Sequence, residues 1–168
     1  MLENDLVHFY YQFHHEQHYF LCHDILEEAW KMQHAFSKQD AVVSLILLAT
    51  GSYHYRRGNF KGAHKTFNKA YQIIVNYSEE TMATLGLVRK AYLNILTQLI
   101  QDTAQEIPFS PIQLPLTATM IVKVKMQFPG FQVTDTVVET PMILHHHQLR
   151  DRSDVITARE AALDERRK

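Results

Sequence analysis

The chain has 168 residues, 46% of them hydrophobic, enough for one domain of ordinary size with a real core and room for an appendage. Its 17 lysines and arginines against 18 aspartates and glutamates leave a formal net charge of −1, which excludes a general attraction to nucleic acid or to an anionic membrane. Cys22 is the single cysteine and rules out an internal disulfide, and the longest apolar run, 41–51, is too short to cross a bilayer. With no signal peptide at the start, the cytoplasm is the expected compartment. Eleven histidines make the charge sensitive to mild acid.

Residues 2–15 read as a first helix, because Leu2, Leu6, Phe9, Tyr10 and Phe13 recur at steps of three and four. His14, His15, Glu16, Gln17 and His18 look like a turn of solvated residues, although its histidines could recruit a metal. A second helix then runs from Tyr19 to about His34. Leu21, Cys22, Ile25, Leu26, Ala29 and Met32 fill one broad arc of it, and Asp24, Glu28 and Lys31 lie opposite.

His23, Glu27 and Trp30 fall at spacings of four and three, within roughly 60° of one another on the border of that arc. An imidazole and a carboxylate so placed can hydrogen-bond, share a metal, or divide acid and base roles. Beside an indole both are partly desolvated, which moves pKa values. The same pair also fits a satisfied polar contact at the edge of a core. The spacing is not that of the HExxH zinc proteases.

Asp40 is placed to cap a third, strongly apolar helix over 41–57. Thr50 and Gly51 put small side chains in its middle, where a glycine costs about 1 kcal/mol relative to alanine. Close approach of another helix explains that cost, and helix two is the expected neighbour. His54 and Arg57 follow Gly51 at single-turn intervals and could then face His23 and Glu27. Gly58 can take the left-handed stop and Asn59 can cap a fourth helix over 60–77, so helices three and four should form a tight antiparallel hairpin. Ser78 is placed to cap a fifth helix over 79–105. Tyr19, Cys22, Leu26 and Ala29 match Phe60, Ala63, Phe67 and Ala70 at a shift of 41 residues. This packing pattern resembles that of tetratricopeptide-type helix pairs.

After Glu106 the character changes. Three prolines in PFSPIQLP predict an extended crossing segment. Residues 117–127 and 131–138 alternate around the turn signal Pro129-Gly130, which predicts a β-hairpin. A hairpin alone is marginal, so it should pack on the helices or on a second chain. His145, His146 and His147 form a run whose members cannot share a helix face, and residues 153–168 read as a charged terminal helix. The expected fold is an all-α core of stacked antiparallel hairpins, about five helices over residues 1–106, followed over 107–168 by the extended segment, β-hairpin and tail helix.

His23-x3-Glu27-x2-Trp30, followed by the stretch from Tyr53 to Ala63 (YHYRRGNFKGA), resembles the bacterial and archaeal family called domain of unknown function 309. The resemblance covers about residues 10–77. It implies a compact helical core and a shared polar constellation of His23, Glu27 and Trp30 from one helix with His54 and Arg57 from the next. It also implies metal binding by the HxxxExxW motif, but no particular activity. Leu47 stands where many relatives carry a glutamine, which removes a polar partner from the constellation.

Two functions compete. In one, His23, Glu27, Trp30, His54 and Arg57 form a pocket. His23, Glu27 and His54 would hold a divalent metal such as zinc or iron, or Arg57 a small anionic ligand. No nucleophile motif or phosphate loop accompanies them, so no reaction is assigned. In the other, the hairpins form an interaction module for a protein partner or for a second copy, as a homodimer. The His/Glu/Arg set is then a network that holds helix register. Arg56, Arg57, Lys61, Lys65 and Lys69 make a short basic stripe, read as a solvated helix face rather than a nucleic-acid site.

Overall fold

The computed structural model describes residues 2–132. Among them the regular elements are all helices. The helices are α1 (Leu2–Tyr11), α2 (Tyr19–Lys31), α3 (Ala41–Arg56), α4 (Phe60–Ile74), α5 (Glu79–Thr84), α6 (Arg89–Ala104) and α7 (Ala118–Gln127). A π-helical turn, Gln12–Glu16, extends α1 and ends at Gln17 in the left-handed conformation, φ 54°.

α3 is apolar on every side and is correspondingly buried, as the all-round pattern requires. α2 and α4 pack against it, α6 packs on α4, and α1 packs on α2 and α7. The expected hairpin of the third and fourth helices is present. Gly58 takes φ +81°, and the Asn59 side chain accepts from the Gly62 N–H at 3.0 Å. Gly51 sits against α4 rather than α2: an added Cβ would lie 2.6 Å from the buried ring of Phe67. The repeated small and large residues serve one core, with Tyr19, Cys22 and Leu26 of α2 and Ala63, Phe67 and Ala70 of α4 all fully buried.

The fifth helix does not run unbroken. Ser78 caps α5 by accepting from the Thr81 N–H at 3.1 Å, but the chain turns at Gly86, φ +81°, and restarts as α6. The break frees backbone groups for the crossing segment. Leu87 and Leu116 form an antiparallel bridge, the Val88 N–H donates to Pro115, and the Thr117 N–H donates to Gly86.

The first predicted strand is a helix. Residues 118–127 form α7, capped by the Thr117 hydroxyl, which accepts from the Met120 N–H at 3.2 Å. The alternation that suggested a strand contains a four-residue period within its two-residue one. Met120 and Val124 face the core and Phe128 stacks on Tyr11 at 4.0 Å, while Val122 and Met126, the other alternate positions, point outward. The predicted β-hairpin therefore lacks its first strand. The rest of the second strand, the His145–His147 run and the terminal helix lie outside the described residues.

His14, expected in a solvated turn, is buried and fastens the crossing segment. Its Nδ1 bonds the Tyr10 carbonyl at 3.0 Å, and its Nε2 accepts from the Leu114 N–H at 2.9 Å. Only the neutral ring protonated on Nδ1 makes both bonds. Burial outweighs the carbonyl and lowers its pKa from 6.5 to about 4.

A depressed folded pKa leaves the unfolded chain binding more protons. The His14 contribution is therefore complete above pH 6.5 and lost as pH falls through about 4. Denaturant titrations across that window should show wild type losing stability, on the order of 3 kcal/mol from this residue. His14→Phe, less stable at neutral pH, should lack that part of the slope. The difference between the two proteins is the readout, because His54 titrates in the same direction. Gly51→Ala should destabilise by about 1–2 kcal/mol in urea melts, since overpacking the Phe67 ring exceeds the gain in helix propensity.

Candidate functional site

α2 presents His23, Asp24, Glu27 and Lys31 as one charged chain. His23 Nε2 meets a Glu27 carboxylate oxygen at 2.8 Å, and its Nδ1 meets Asp24 at 3.2 Å. The second Glu27 oxygen accepts from the Lys31 ammonium one turn later. The spacing of four aligns these groups on successive turns.

The two partners stabilise each other's charge. Burial opposes protonation of His23, but the hydrogen bonds to Asp24 and Glu27 prevail and raise its pKa to about 9. The same bond from His23 holds Glu27 near 2, against its partial burial and with help from Lys31. At neutral pH His23 is thus an imidazolium between carboxylates, with both ring nitrogens donating.

Trp30 belongs to the same helix but serves another contact. Its Nε1 donates to the Asp40 carboxylate at 3.0 Å and to the Ser37 carbonyl at 3.2 Å, and its ring meets Phe36 edge-on. The same Asp40 oxygen accepts from the Ser37 N–H at 2.8 Å. Asp40 stands at the N-cap position of α3, as expected, yet its side chain braces the α2–α3 turn instead of capping the helix.

His54 and Arg57 sit at the far end of α3. Asn59 donates to His54 Nδ1 at 3.3 Å, and burial together with the Arg57 charge lowers the His54 pKa. Arg57 donates to the Tyr53 hydroxyl at 3.2 Å and lies over that ring. The five residues therefore fall in three places: His23 with Glu27, Trp30 on the α2–α3 turn, and His54 with Arg57. Phe20 lies between the His23 and Tyr53 rings, 5.9 Å from the first and 5.4 Å from the second. The hydrogen bonds and ion pairs of His23 and Glu27 stay within α2. Among the described residues, no group of three or more His, Cys, Asp or Glu side chains is arranged to hold a metal ion. An open cleft of about 670 Å³ lies elsewhere, lined by His14, Leu114, Lys125 and Phe131 among others.

Arg56, read from the sequence as part of a solvated basic stripe, turns inward instead. Its guanidinium covers the Tyr19 ring at 4.5 Å and donates to the Gln17 carbonyl, tying the end of α3 to the start of α2. Adjacent arginines carry no sequence signal for which one turns inward.

The family model described as Domain of unknown function (DUF309) matches residues 6–66. Residues 6–66 are therefore similar to that family. That stretch runs from α1 into α4 and contains His23, Glu27, Trp30, His54, Arg57 and the Gly58-Asn59 turn. The chain is also similar to the uncharacterized protein YpuF of Bacillus subtilis (strain 168), at 29% identity over 163 residues, covering 94% of this chain and 92% of that one. No solved structure matches significantly. Among the described residues, no helix is long and apolar enough to cross a membrane.

A raised histidine pKa contributes stability that is complete below pH 6.5 and is lost as pH rises through about 9. The chain should accordingly lose stability between those values, by about 1 kcal/mol after allowance for partial solvent screening. Glu27→Gln should flatten that decline in pH-resolved denaturation.

Proposed function

We propose that this chain is a helical interaction module, for a protein partner or a second copy of itself, in which the His/Glu/Arg set holds the helices in register. One observation carries the reading: both nitrogens of His23 and both carboxylate oxygens of Glu27 are already engaged within α2. A protonated imidazole has no lone pair for a metal and none to accept a substrate proton. The remaining members also have structural partners, Trp30 with the α2–α3 turn and Arg57 with Tyr53.

A second reading keeps the pocket. His54, held toward its neutral form beside Arg57, is the one imidazole of the set poised to ligate, and it could act with Arg57 on a small anionic ligand or a divalent metal such as zinc or iron. Under this reading His23 must lose its proton before it joins.

Unfolding free energies of wild type, His23→Ala and Glu27→Ala at neutral pH test the two. A register-holding network loses about 1–2 kcal/mol when one partner is removed and the other is left half-buried. A site held together at a cost loses nothing or gains stability. Sedimentation over a range of concentrations should show self-association or a retained partner under the first reading. Stoichiometric zinc or iron surviving dialysis, and lost in His23→Ala, is the result that favours the second.

A further inference from the structure

Residues 41–78 contain Arg56, Arg57, Lys61, Lys65 and Lys69 and no aspartate or glutamate. The two arginines turn onto tyrosines of the protein itself. The three lysines do the opposite. Lys61, Lys65 and Lys69 are all exposed on α4 at intervals of four residues. They form one ridge with a rise of about 6 Å from each to the next.

The described residues bring one carboxylate to an end of the ridge: Glu106, just beyond α6, lines an open cleft with Lys61. None of the ion pairs among the described residues involves these lysines. The two helices packed most closely on α4 bring little compensation. α3 has no carboxylate, and α6 has only Asp102, which accepts from Gln98 at 2.8 Å. Like charges at i and i+4 destabilise a helix, so a row of carboxylates from outside would relieve the repulsion.

The other anions available fit less well. Among the described residues, a second copy offers no helix with three carboxylates at successive four-residue steps: Asp24 and Glu28 of α2 make a single step, and Glu79 and Glu80 of α5 are adjacent. Nucleic acid would meet no stacking platform, because Phe60, Phe67 and Tyr71 of α4 pack into the core instead of interleaving with the lysines. An acidic helix has the right shape. Its carboxylates at every fourth position share the 6 Å rise of the lysine row, to within about an ångström over two turns.

We propose that the Lys61–Lys65–Lys69 ridge of α4 is a docking surface for an acidic helical segment of another protein. The inference rests on the interaction-module reading and names the surface and the kind of partner it takes.

Fluorescence anisotropy on the full chain tests it. The probes are a labelled helical peptide with glutamate at every fourth position on one face, a scrambled peptide of the same composition, and a short single-stranded oligonucleotide. Wild type should bind the patterned peptide, and binding should weaken steeply with salt. Scrambling the peptide, or the triple variant Lys61→Ala/Lys65→Ala/Lys69→Ala, should each lower affinity about tenfold or more. The replaced side chains are exposed, so circular dichroism of the variant should match wild type. Equal binding by the triple variant, equal binding of the scrambled peptide, or tighter binding of the oligonucleotide overturns the proposal. If no probe binds, the ridge proposal falls by itself. The wider reading is decided separately by the stability and sedimentation measurements above.

Discussion

Burial of most of α3 is the constraint on which the other elements depend. A helix with no charged side chain before its last residues can be covered on all sides, and only neighbours that match its surface can cover it. α4 does so by setting Phe67 against Gly51, where any side chain would hold the two axes apart. α6 is tied in through one polar link, because Ser44 of α3 bonds both the Ala70 carbonyl of α4 and the Tyr92 hydroxyl of α6, each at 2.9 Å. That hydroxyl would otherwise be a buried polar group without a partner, which costs more than the bond contributes. The link therefore acts as a register mark between three helices.

With α3 largely enclosed, the charged residues around it are left to its borders, and there they divide by role. On α2 the imidazolium of His23 is held between carboxylates and stabilises the helix that carries it. At the end of α3 the arginines settle on tyrosine rings, Arg56 on Tyr19 and Arg57 on Tyr53, and brace α3 against itself and α2. Phe20 separates the two groups with an apolar ring. Electrostatic effects near α2 are consequently short-ranged and self-compensating, whereas the outer face of α4 keeps its positive charge.

Local signals located many of the features. Gly58-Asn59 marked the α3–α4 turn because a left-handed stop and an N-cap are backbone requirements that few residues meet. The His23–Glu27 pairing was also legible, since helical spacing alone puts the two within reach. Its meaning was not. Whether such a pair is a ligand set or a salt bridge depends on what else reaches the ring nitrogens, and Asp24, on the next residue, fills the second one. Trp30 was legible as a neighbour of that pair, yet its indole N–H is taken up by Asp40 across the turn, a contact that spacing along one helix cannot reveal.

The sequence by itself determined the helical class, the buried third helix, the α3–α4 hairpin and the caps at Asn59 and Ser78, because each follows from periodicity or from a backbone group that must find a partner nearby. Only the tertiary structure decided the rest. Residues 117–127 satisfy both a two-residue and a four-residue period, and the aromatic face of α1, offering Tyr11 to Phe128, selects the helix. The break at Gly86 exists because Pro115 and Leu116 arrive there to take its backbone groups. His14 is buried and neutral because Leu114, a hundred residues away, supplies the one N–H that its ring can accept. In each case the deciding atom lies far along the chain, and local sequence carries no information about what will pack against it.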